Sequence, residues 1–132
     1  MKYLAIDLGL KRIGIAYSAH KDIVTPLPVV IRKNRNQAAG EVKKTIQEWE
    51  IDAVVVGVPL GGSSEAEMRR RIEHFMNLVD FEGAVFFQDE AGSSKEAESM
   101  MKGEMKQIRD GRIDSLSAMI ILQRYLAANK NK

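Results

Sequence analysis

The run Ala53-Val54-Val55-Val56-Gly57-Val58, closed by Pro59 and the pair Gly61-Gly62, constrains this chain more than any other stretch. It is short for a helix, and no polar residue alternates through it, so neither of its faces suits water. Such a run is a strand buried on both sides, which calls for helices above and below a sheet.

The other elements fit that demand. Tyr3–Leu8 and Ile13–Tyr17 are apolar and β-branched, and Gly9-Leu10-Lys11-Arg12 between them suits a hairpin turn. Ile23–Ile31 contains Pro26 and Pro28, which mark an edge strand or a bent one. Ala38/Ala39, Val42, Ile46 and Trp49 recur at helical spacing, so the pattern predicts a helix over Asn36–Glu50. Ser64 and Glu67 form a capping-box pattern before a helix with Met68, Ile72, Phe75/Met76 and Val79 on one face. Ala84–Phe87 reads as a further buried strand, and Ser93 with Glu96 repeats the capping pattern before a short helix. Gly103–Gly111 reads as a loop, and Arg112–Ala128 as a last helix, apolar around most of its circumference. Three strands followed by α-β-α-β-α-α predict a mixed sheet with helices on both faces, in one domain over residues 1–132.

Composition narrows the chemistry. The 132 residues include no cysteine, which excludes disulfides, thiolate metal sites and thiol catalysis. Two histidines, His20 and His74, are too far apart to suggest a histidine metal site. No apolar run reaches the roughly 18 residues of a membrane span, and the first apolar stretch, broken by Asp7, does not read as a signal peptide. The expected setting is the cytoplasm. The net charge of +2 is weak evidence for a polyanionic partner, although residues 1–60 carry nine Lys/Arg against six Asp/Glu.

The informative residues are carboxylates where carboxylates are costly. Asp7 interrupts a strand of core residues, Asp89-Glu90 follows a strand directly, and Asp114 shares a helix face with Ala118, Ile121 and Tyr125. Each has a plainer reading: a turn before Gly9, a polar loop, a helix-dipole partner. Together, at strand ends on one side of a sheet, they form an oxygen-only donor set that favours Mg²⁺ or Mn²⁺ and suits phosphoryl chemistry. Lys11, Arg12 and Arg112 stand near them in sequence and could contact a phosphate backbone. Arg69-Arg70-Arg71 and His74 read as a solvated helix side, His20 as a turn residue, and Gly61–Ser64 as an ordinary turn and cap.

Four stretches carry a resemblance. Ala5-Ile6-Asp7-Leu8-Gly9-Leu10-Lys11-Arg12-Ile13-Gly14-Ile15-Ala16 resembles the opening motif of the YqgF or RuvX family of RuvC-like Holliday junction resolvases. Val54–Pro59, Asp89-Glu90, and Asp114-Ser115-Leu116-Ser117-Ala118 through Gln123 are similar to its later motifs, in order. The resemblance implies an RNase H-like α/β fold with a five-stranded mixed sheet. It also implies an endonuclease that matures the 5′ end of 16S ribosomal RNA, with DNA junction resolution the alternative. By position, Asp7, Glu90 and Asp114 would be the catalytic and metal-binding carboxylates, and Arg12 the motif's basic residue. The chain departs from the pattern after Glu90, where Ala91-Gly92-Ser93-Ser94 replaces the family's arginine and threonine, and its glycine–proline loop is short.

The expected partner is therefore nucleic acid, pre-ribosomal RNA ahead of a DNA junction, with ribosomal association open and a monomer or homodimer both compatible. An actin-like ATPase shares the opening motif but needs two domains, more than this length supplies. A non-catalytic RNA-binding module stays open because of the missing arginine.

Overall fold

The computed structural model describes residues 1–20, 23–101 and 112–129, with only the backbone of Met101 and Arg112. The Gly103–Gly111 stretch read as a loop lies outside the described residues. Five strands, β1 (Tyr3–Leu8), β2 (Arg12–His20), β3 (Ile23–Ile31), β4 (Ala53–Val58) and β5 (Ala84–Asp89), form one sheet in the order β3-β2-β1-β4-β5. The β3-β2-β1 meander is antiparallel, whereas β4 and β5 run parallel to β1. Helices α1 (Arg35–Glu48), α2 (Glu65–Val79), α3 (Ser93–Met101) and α4 (Arg112–Ala128) complete the order.

Every residue of β4 is buried, as its unbroken apolar run requires. Its even-numbered side chains, Val54, Val56 and Val58, join Leu4, Ile6 and Leu8 of β1 and Ile13 and Ile15 of β2 under α1 and α2. The opposite face is thinner: Ala5, Ala16 and Val55 pack against Ala118, Met119, Ile121 and Leu122 of α4. Since strand side chains alternate sides, the odd positions of β1 necessarily face α4.

Several local expectations are corrected. The second strand begins at Arg12 and continues through His20, so His20 ends a strand. Helix α1 starts at Arg35 because Asn34 and Gln37 form a reciprocal capping box, a signal beside the apolar periodicity. Its Trp49 falls past the last turn and packs on Tyr17, with ring centroids 4.5 Å apart. At α2, Ser64 makes no capping bond; Glu65 instead accepts from the backbone N–H of Gly61 at 2.7 Å. Strand β5 reaches Asp89 and is only partly buried, because it lies at the sheet's edge with β4 as its one strand neighbour. The proline-bearing β3 is the other edge, and its pairing with β2 shifts register between Ile13 and Ile15. The bonding gap left by the prolines is tolerated there.

Candidate active site at the carboxyl edge of the central strands

Asp7 lies one residue before the end of β1, between β2 and β4. Its register partner on β2 is Gly14, and on the other side Gly57 follows Val56, the register partner of Ile6. All three point toward α4. A Cβ on Gly14 would sit 2.0 Å from the backbone oxygen of Asp114, so the missing side chain is what lets the start of α4 lie directly on β2. A Cβ on Gly57 would meet Ile121 Cδ1 at 2.5 Å and Glu90 Cβ at 3.2 Å. Two side-chain-free positions thus flank Asp7, and each admits one further acidic residue.

Glu90 arrives by continuation of β5. Its N–H donates to Val58 O at 2.9 Å, extending the strand pairing by one residue. Alternation along Phe86, Gln88 and Glu90 then turns Glu90 to the α4 face and Asp89 away from it; Asp89 Oδ1 accepts from the N–H of Ala91 at 3.2 Å. Strand geometry therefore turns Glu90, the residue the resemblance implied, and not Asp89, toward α4.

Asp114 is fixed by its neighbours. Arg12 Nε donates to Asp114 Oδ2 at 2.9 Å. The next residue, Ser115, is buried; its hydroxyl donates to Leu27 O at 2.6 Å and accepts from the N–H of Ile15 at 3.5 Å. These bonds fall where β2–β3 pairing slips, so Ser115 ties the first turn of α4 to both strands. No role for Ser115 follows from the motif reading, although a small polar residue inside an apolar helix was its visible signal.

The electrostatics follow from this packing. Burial pushes the Asp7 carboxyl up to about 7, and the negative charges of Glu90 and Asp114 add to the shift. Burial, then the charge of Asp89, also raises Glu90. Of the basic candidates, Lys11 is exposed in the β1–β2 turn and Arg12 is engaged with Asp114. The side chain of Arg112 lies outside the described residues. Arg124, unsuspected from sequence, donates to Asp89 O at 3.2 Å and to Glu96 Oε1 at 3.0 Å. It brings a cation to the segment where the family pattern has its arginine. Its spacing from Asp114, Ser117 and Ile121 along one helix face was the overlooked signal.

Hard oxygen donors around a desolvated carboxylate match the chemistry of Mg²⁺ or Mn²⁺. Among the described residues, no three acidic or histidine side chains are close enough, as placed, to enclose a metal ion. The donor set fits in kind, with one oxygen of Asp114 turned to Arg12.

A mixed five-stranded sheet with a long helix across its α4 face is the architecture of RuvC-like resolvases, an RNase H-like fold. Thermus thermophilus RuvC, solved with a Holliday junction substrate, superposes with a TM-score of 0.61 at 15% identity, over 99% of this chain and 97% of that one. The fowlpox virus resolvase, solved with junction DNA, gives 0.59 at 11% identity, over 98% and 99%. The chain belongs to the RuvX Holliday junction resolvase family, whose model matches residues 1–128. A Sulfurimonas denitrificans relative named as a candidate pre-16S rRNA nuclease is 79% identical over 96% of this chain and 97% of its own. A Campylobacter lari relative bearing the same name is 55% identical over 95% and 97%.

Proposed function

We propose that this protein is a metal-dependent endonuclease that cleaves structured RNA, with the 5′ region of precursor 16S ribosomal RNA as its substrate. The relatives' names supply the substrate, and the site supplies the chemistry. The observation that carries the reading is Asp7, a half-buried strand carboxylate on which two further carboxylates, Glu90 and Asp114, act electrostatically.

Asp7, Glu90 and Asp114 would hold Mg²⁺ or Mn²⁺, which when bound supplies Lewis-acid activation of water and of the scissile phosphate. The chain's own part is positioning. Gly14 and Gly57 set the lateral spacing of the acids, Ser115 fixes the first turn of α4, and Arg12 restrains Asp114. Lys11, exposed on the adjoining turn, would contact an incoming phosphate, and Arg112 is assigned the same role by sequence position. A cytoplasmic setting suits this substrate, and among the described residues no helix is long and apolar enough to cross a membrane.

The test compares a precursor 16S RNA fragment with a DNA four-way junction, each with Mg²⁺, Mn²⁺ or chelator. Expected is metal-dependent RNA cleavage that falls to background in Asp7→Asn and Asp114→Asn, both still folded. Cleavage that survives in both variants would overturn the site. A preference for the junction would overturn the substrate, and RNA binding without turnover would leave a binding module.

A further inference from the structure

The side of the sheet opposite the carboxylates holds a cleft of about 330 Å³, walled by Arg32, Arg35, Arg70, Arg71, His74 and Glu67. Leu8 and Phe75 complete its lining, both buried. Four arginines thus line one concave surface together with one glutamate. Among the described residues, none of the four makes an ion pair with a carboxylate.

The crowding is visible in the side chains. Arg32 Nη1 is drawn to Gly9 O at 2.7 Å, and its guanidinium lies 5.8 Å from the Phe75 ring centroid. Arg35 Nη1 donates to His74 Nε2 at 3.2 Å, which holds both side chains at the cleft. Burial, then Arg71 and Arg35, push Arg32 below the usual arginine range. An independent feature has the same sign. Helix α1 begins at Arg35 and has no acidic residue in its first turn, so its positive dipole end adds to the arginines. Concentrating positive charge in this way carries a repulsion that an entering anion would relieve. Planar guanidinium forks suit phosphate oxygens.

The cleft is joined to the candidate active site by β1 itself. Leu8 lines the cleft, while Asp7, the preceding residue, faces α4, so both sites lie at the same carboxyl edge of the sheet. The turn between them carries Lys11, whose carbonyl accepts from the N–H of Arg32 at 2.9 Å.

We infer that this cleft binds backbone phosphates of the nucleic-acid strand whose scissile phosphate lies at Asp7, so the substrate crosses the sheet edge and is gripped on both faces. The inference rests on the nuclease reading. Arg70 and His74 are exposed and Arg71 is half-buried, as the solvated helix side read from the sequence requires. Arg69 instead pairs with Glu65 at 2.9 Å and lies 4.4 Å from the Phe87 ring centroid, outside the cleft.

The chain's two histidines allow a test that needs no cleavage. His74 is in the cleft, and His20 ends β2 at its opposite end from Arg12. In chelator, a single-stranded RNA oligonucleotide is expected to move the His74 ring resonances and leave those of His20 in place. Arg70→Ala/Arg71→Ala, checked for folding by its thermal melt, should reduce the log–log salt slope of RNA binding by about 1.4. For purely electrostatic contacts that slope change is a loss of roughly 25-fold at 0.1 M salt relative to 1 M. RNA that binds with His74 unmoved and the slope unchanged would overturn the cleft and leave the nuclease reading standing. Inorganic phosphate that moves His74 when RNA does not would make it a free-phosphate site and overturn the strand contact. Failure of RNA to bind at all would overturn this inference, while the nuclease reading stands or falls on the cleavage assay with metal.

Discussion

The two faces of the sheet obey opposite packing rules. Under α1 and α2 the sheet presents Leu4, Ile6, Leu8, Val54, Val56 and Val58, and a wide hydrophobic layer separates it from the helices. Under α4 it presents Ala5, Ala16, Gly14 and Gly57, and the helix backbone descends almost onto the strands. The first face is stabilised by volume and the second by its absence. Thinness is what brings a strand carboxylate, a helix carboxylate and a strand-end carboxylate to the same edge of the sheet.

Each face can be tested by the change it should tolerate least. Leu4→Ala, on the thick face, should cost about 2–5 kcal/mol through an unfilled cavity, read as a lower urea midpoint. A small effect there would mean that the layer collapses readily and the contrast is overstated.

Asp7 gives the next largest effect, through pH. Its folded pKa is raised from 3.8 to about 7. Between those values the native state keeps a proton that the unfolded chain has released. Metal-free stability should therefore fall as pH rises across the window and level off above it. The total is roughly 4 kcal/mol as an upper bound. Asp7→Asn should flatten the descent, which urea titrations in chelator below and above the window would read. A wild-type profile that stays level would show that Asp7 is well solvated.

Gly14→Ala adds a single methyl group to the thin face and should cost about 1–3 kcal/mol, because helix backbone stands where the Cβ would go. Cleavage should suffer more than stability, since Asp114 moves with the helix. A variant as stable and as active as wild type would break the comparison. Arg12→Ala should change stability by less than about 1 kcal/mol, its ion pair being partly exposed. A larger loss would mean that Arg12 is needed to hold α4 down.

Much of this was legible in the chain because it depends on periodicity. The unbroken β4 run, the helical spacing of Met68, Ile72 and Val79, and the prolines of β3 each carry their environment in local pattern. Asp7 was conspicuous because its neighbours are all core residues. The depth of β5 was not legible, because an edge strand and an interior one can share the same apolar letters and differ only in partners. Choosing Glu90 over Asp89 took the motif resemblance; the physical reason appears only once β5 has a register. Nothing local distinguishes the glycines at 14 and 57, because their meaning depends on residues about 100 and 33 positions away. The arginine cleft was missed for a similar reason: Arg32 and Arg35 belong to one helix entrance, Arg70 and Arg71 to another helix.

The strand order also assigns the candidate site an uneven durability. Asp7 rides on β1, hydrogen-bonded on both sides by β2 and β4, where local opening demands near-global unfolding. Glu90 stands just past β5, which has a strand on one side only. Amide hydrogens around Ile6 should therefore exchange far more slowly than that of Glu90. On warming, the outer strand should fray while the rest of the molecule stays native, so catalytic competence would be lost reversibly below the temperature at which the helices melt.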